Sequence, residues 1–141
     1  MTRLSALALL FAASLAAQDI RNVYLLPMSN NFDQYLANRL RGIYEVVADP
    51  ALADAVFTDA IGPAFERKMA ELYPVEGEEQ ADEKAESVGR MGALRRGRGT
   101  IFLVDRRSKK VVWSTYEPIR RFTPEDLDKV ADKVARRLKS K

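Results

Sequence analysis

A chain of 141 residues, 47% hydrophobic and 30% charged, has the size of one domain and the balance of a folded globule rather than a disordered tail. Its net charge of +3 is too small by itself to argue for a polyanionic partner. Cysteine and histidine are both absent. That excludes disulfides, thiol chemistry, thiolate metal sites and a lipoprotein attachment cysteine, and it removes the commonest general base and transition-metal ligand.

Residues 1–17 read as a signal peptide. Met1-Thr2-Arg3 is a short positive n-region, residues 4–15 an apolar h-region, and Ala16 and Ala17 supply the small residues of a cleavage site. The apolar run is shorter than the roughly 17–25 residues a spanning helix needs. The expectation is a periplasmic or secreted chain with no transmembrane span after cleavage, and a single domain over 18–141.

Residues 22–27 (Asn-Val-Tyr-Leu-Leu-Pro) read as a first strand that Pro27 ends. Asn30 or Asn31 then caps a helix over 32–41. Phe32, Tyr35, Leu36 and Leu40 recur at helical spacing, and Gly42 sits where a left-handed C-terminal residue belongs. Residues 44–48 are a second strand. Asp49-Pro50 opens a brief helical turn to Ala53, and 55–58 (Ala-Val-Phe-Thr) is a short third strand. Pro63 starts a helix to about Tyr73, with Phe65, Met69 and Leu72 on one face. From 75 to 99 the apolar periodicity vanishes: acids come first, then Arg90, Arg95, Arg96 and Arg98 among glycines. This reads as a flexible charged insertion within the domain.

Residues 100–116 are the strongest signal, a β-hairpin of two β-branched and aromatic runs across a short polar break. Regular pairing sets Val104 against Val111, Leu103 against Val112 and Phe102 against Trp113. Alternation then places Phe102, Val104, Val111 and Trp113 on one face, and Ile101, Leu103 and Val112 on the other. Both faces are apolar, so the hairpin is expected at the centre of the sheet. Thr123-Pro124-Glu125-Asp126 begins the last helix, whose stripe is Leu127, Val130, Val134 and Leu138 and whose end is basic. The fold class is α/β (α+β), a mixed sheet of about five strands with about three helices.

The segment Asp49-Pro50 with Leu52-Ala53-Asp54-Ala55-Val56-Phe57, together with the Ile-Phe-Leu-Val-Asp…Val-Val-Trp-Ser hairpin, resembles exported bacterial α/β domains of unknown function. More distantly the layout is similar to the periplasmic domains of the curli secretion channel and of the penicillin-binding-protein activator lipoproteins. It is also similar to the amino-terminal domain of the Tol-system β-propeller protein. The resemblance covers about 23–139 apart from the insertion, and its motifs are structural. The usual hairpin of that group has a glycine near the position of Lys109, and its lipoprotein members carry a cysteine that this chain lacks. The resemblance implies a periplasmic, non-catalytic interaction domain and carries over no active-site residues.

Two kinds of side chain remain as candidates for chemistry. Asp33, Asp49, Asp54, Asp59 and Asp105 lie nearest to element ends, where a carboxylate-dependent hydrolase-like enzyme, the alternative reading, would build its site. Turn and cap roles explain the same positions, and none has metal-loop spacing, so no catalytic residue, metal or cofactor is expected. Arg95, Arg96 and Arg98, followed by Arg106, Arg107, Lys109 and Lys110, form the strongest charge cluster. It is a candidate basic patch for an envelope protein or an anionic envelope component. Nucleic acid is not expected, because export removes the chain from it and no aromatic platform interleaves the arginines.

Overall fold

The strand at the middle of the sheet is not part of the hairpin. It is β3 (Ala55–Thr58), whose four residues are all buried. The computed structural model describes residues 19–74 and 99–141. Around β3 lie β1 (Asn22–Leu25), β2 (Glu45–Val46), β4 (Thr100–Asp105) and β5 (Val111–Tyr116), in the order β2-β1-β3-β4-β5. β1 runs parallel to β2 and β3, while the β3–β4 and β4–β5 pairs are antiparallel. The sheet is therefore mixed, as the order of elements in the chain implied. Residues 1–17, which read as a signal peptide, and residues 75–98 of the insertion read over 75–99 fall outside the described residues.

Three helices accompany the sheet among the described residues: α1 (Phe32–Arg39), α2 (Pro63–Leu72) and α3 (Pro124–Lys139). α1 and α3 pack against each other on one face, over Val23, Ala55, Phe57, Ile101 and Leu103. The stripe Leu127, Val130, Val134 and Leu138 lies inside that core, as helical spacing requires. Burial of each such side chain gains about 1.5–3 kcal/mol over exposure. This packing, not intrinsic propensity, holds in place a helix that is otherwise charged. Arg39 of α1 ties the pair at its surface, its Nε donating to Asp128 at 3.0 Å, with Asp132 at 3.6 Å. α2 covers the other face, where Met69 meets Leu26 and Val56. No helix among the described residues is long and apolar enough to cross a membrane.

Element ends follow local chemistry, with two departures. The Thr123 hydroxyl accepts the Asp126 N–H at 3.3 Å and Pro124 opens α3, as expected. Asp49 caps the turn Pro50–Leu52 by accepting the Ala51 N–H at 2.9 Å. At α1, however, Asn30 and Asn31 both take left-handed angles (φ 57° and 56°), and the Asn31 side chain makes no capping hydrogen bond. The asparagines are there for the bend, which they tolerate better than other side chains. β2 is only two residues long rather than spanning 44–48. The Tyr44 N–H is still bonded to the Leu40 carbonyl at 3.1 Å, closing α1, and its ring meets Phe57 edge-on at 6.0 Å.

The hairpin forms with the expected ends but a different register. Thr100 pairs with Tyr116, Ile101 with Thr115, Phe102 with Ser114 and Leu103 with Trp113, after which the count slips and Val104 pairs with Val111. Val112 is thus the extra residue of a β-bulge. One inserted residue reverses the alternation beyond it, so Trp113 sits opposite Leu103, on the α1/α3 face, and not beside Phe102. The hairpin is thus not central: β4 is an inner strand, paired on both sides, next to the middle strand β3. β5 is an edge strand, and Val111 and Val112 are 45% and 40% exposed.

Candidate binding surface

The five aspartates singled out in the sequence all accept hydrogen bonds from backbone N–H groups. Asp49 serves Ala51, as above. Asp33 Oδ1 accepts from Met28 at 3.1 Å and Asp59 Oδ2 from Ser29 at 2.9 Å. Asp54 Oδ2 takes two, from Asn22 at 3.0 Å and Arg21 at 3.1 Å. Those two amides, Asn22 first, hold the Asp54 carboxyl below the usual carboxylate range. Asp105 Oδ1 accepts from Arg107 at 2.9 Å and Ser108 at 2.7 Å, which folds the hairpin turn. Asp33 and Asp59 both bond to the loop of Met28 and Ser29 that follows β1. No group of three or more Asp, Glu, His or Cys that would hold a metal ion occurs among the described residues. This is the chemistry of turns and caps.

The basic cluster divides. Arg95, Arg96 and Arg98 lie outside the described residues. Arg106 is a structural clamp: its Nη1 donates to the carbonyls of Ala51 at 2.6 Å and Ala53 at 3.3 Å. Its guanidinium carbon stands 4.3 Å from the centre of the Tyr73 ring. The Tyr73 hydroxyl in turn donates to the Pro50 carbonyl at 2.6 Å, and burial pushes that hydroxyl's pKa up. The hairpin turn, the Pro50–Leu52 turn and the end of α2 are thereby joined by one guanidinium. Arg107, Lys109 and Lys110 are exposed at the tip. Lys109 occupies the left-handed region (φ 58°) where the resembling hairpins carry glycine.

Two concavities flank this frame. One, of about 730 Å³, opens beside β2 and the end of α1 and includes Arg21, Arg41, Tyr44 and Glu45. The other, of about 520 Å³, is a mostly apolar groove between α2 and the hairpin, lined by Ile61, Phe65, Met69, Val104, Lys109 and Val111. The first is lined by several polar and charged side chains, the second mainly by apolar ones.

The remaining feature is the outer edge of β5, which Arg120 and Arg121 follow. Both arginines are exposed, and sequence reasoning passed over them. A dibasic pair a few residues after a strand, with Lys109-Lys110 just before it, was the available signal. Compared with family models, curated proteins and solved structures, the chain matches none.

Proposed function

We propose that this chain is a non-catalytic binding or assembly module of the bacterial cell envelope, working in the periplasm. The observation that carries the reading is the contrast between its carboxylates and its sheet edge. The aspartates that a hydrolase would use accept hydrogen bonds from the chain's own backbone, while a six-residue strand with Lys109-Lys110 before it and Arg120-Arg121 a few residues after it stands at the sheet margin. The signal-like residues 1–17 and the resemblance to exported α/β domains support the compartment.

Fractionation of the native host tests the compartment. The mature chain is expected to begin at Ala17 or Gln18 and to appear in the periplasmic fraction. Recovery of a cytoplasmic product that keeps Met1 would overturn it. Affinity capture from envelope extract, with the isolated domain as bait and an unrelated exported domain as control, tests the module. A protein bound by the bait and absent from the control is expected. Turnover of envelope ester, amide or glycoside substrates by the purified domain, abolished by Asp33→Asn or Asp59→Asn, would establish the hydrolase instead.

A further inference from the structure

An edge strand presents a row of backbone N–H and C=O groups that its own sheet leaves unpaired. In β5 the inward set is identified by the bond from the Glu117 N–H to the Gly99 carbonyl at 2.8 Å, which continues the pairs Ile101–Thr115 and Leu103–Trp113. The odd-numbered residues therefore bond to β4, and Ser114 and Tyr116 direct their backbone groups outward. The bulge at Val112 lies at the turn end and leaves this part of the strand regular. The other edge, β2, is only two residues long and is a poor template.

Natural edges are commonly blunted by a charge or a proline within the strand. Val111-Val112-Trp113-Ser114-Thr115-Tyr116 contains neither. Outside it stand four basic residues: Lys109 and Lys110 on one side and, beyond Glu117, which pairs with Arg137, and Pro118-Ile119, Arg120 and Arg121 on the other. These four are exposed and make no ion pair among the described residues. Tyr116 and Phe122 are 62% and 51% exposed, and the groove that Val111 lines opens on the α2 face.

We infer that the β5 edge receives an extended, acidic segment of a partner protein as a sixth strand of the sheet. This deepens the binding-module reading and rests on it. Main-chain bonds to Ser114 and Tyr116 supply the docking, and alternate side chains of the incoming strand meet the exposed apolar ones. Charge selects the occupant. Antiparallel pairing with a second copy, centred on Ser114, would bring the basic turn 107–110 of one chain, with Arg107 opposite position 121, toward Arg120 and Arg121 of the other. Parallel pairing would align each basic pair with its own kind. Like charges oppose both arrangements, whereas carboxylates at the two ends of a foreign strand meet all four cations.

The test uses a synthetic peptide with a central Val-Thr-Val-Thr-Val run and an Asp-Glu pair at each end. Amide exchange is followed by NMR on the purified protein. Ser114 and Tyr116 amides are expected to exchange freely alone and to slow by about tenfold or more at saturating peptide, as amides entering a ladder do. The effect weakens with added salt and is absent with Lys-Arg ends or with proline in place of the threonines. In the protein, Ser114→Pro removes one outward N–H at a position where an edge strand tolerates proline, and is expected to abolish the effect while preserving the circular dichroism. Amides already protected without peptide would mean that the chain or a second copy covers the edge, and would overturn the inference. So would equal protection by the basic-ended peptide, or no protection. Capture of an envelope protein that survives Ser114→Pro, with no peptide effect, would leave the module standing and remove only this surface. A cytoplasmic chain would remove the compartment and leave the peptide result readable.

Discussion

Removing Arg106 distinguishes a ligand-binding arginine from a structural one. In Arg106→Ala the carbonyls of Ala51 and Ala53 lose a guanidinium donor at 2.6 and 3.3 Å. A hydrogen bond from a charged group contributes about 1.5–3 kcal/mol. The side chain is only partly buried, so the lower end applies. The stacked Tyr73 ring adds about 0.5–1 kcal/mol. The expected loss is about 2–3 kcal/mol, a large share of a domain stability of about 5–15 kcal/mol. With a urea m-value of about 2 kcal/mol/M, the unfolding midpoint falls by about 1–1.5 M. Arg107→Ala, one residue further into the turn, should move stability by less than about 0.5 kcal/mol. Arg106→Lys recovers only part of the loss, because an ammonium lacks the planar fork that both stacks and donates. Paired with Tyr73→Leu, the double-mutant cycle should return a coupling near about 0.5–1 kcal/mol. Coincident urea curves for Arg106→Ala and Arg107→Ala would refute the clamp and return Arg106 to the basic patch.

Four more outcomes follow from the geometry. Trp113→Ala should cost about 2–3 kcal/mol, less than the ~3–5 of a fully buried aromatic, because Trp113 only borders the α1/α3 core; a denaturant curve matching wild type would mean it packs on nothing. Gly99→Ala should cost about 2–4 kcal/mol, since φ is 102° and an added Cβ would lie 2.1 Å from the Glu117 carbonyl oxygen; an unchanged thermal midpoint would contradict that contact. Lys109→Gly should raise stability by about 0.5–1 kcal/mol by relieving the left-handed angle, while weakening binding of the acidic-ended peptide. Asp54 sets a pH dependence: its pKa is lower folded than unfolded, so its contribution is present above the unfolded value of about 3.9 and is lost as pH falls through the folded one. Asp54→Asn should flatten that acid limb of a stability-against-pH curve, and a limb identical to wild type would dismiss the role.

Much of this molecule is legible in local sequence because its determinants are local. Pro63 and Pro124 open helices, Thr123 and Asp49 cap, and the Leu127–Leu138 stripe is buried, each from chemistry spanning a few residues. The short run Ala-Val-Phe-Thr was recognisable as a strand, but its central place was not. Strand order depends on which partners meet through space, and an apolar strand reads alike at the centre and at the edge. The same limit hid the bulge at Val112, where one unpaired residue turned Trp113 to the other face. The basic cluster shows it most plainly. Arg106 and Arg107 are equivalent as neighbours in sequence, yet only the folded chain brings the Ala51 and Ala53 carbonyls and the Tyr73 ring to Arg106. Local propensity depends on residues a few positions apart, whereas edges, register and clamps depend on contacts between residues distant in the chain.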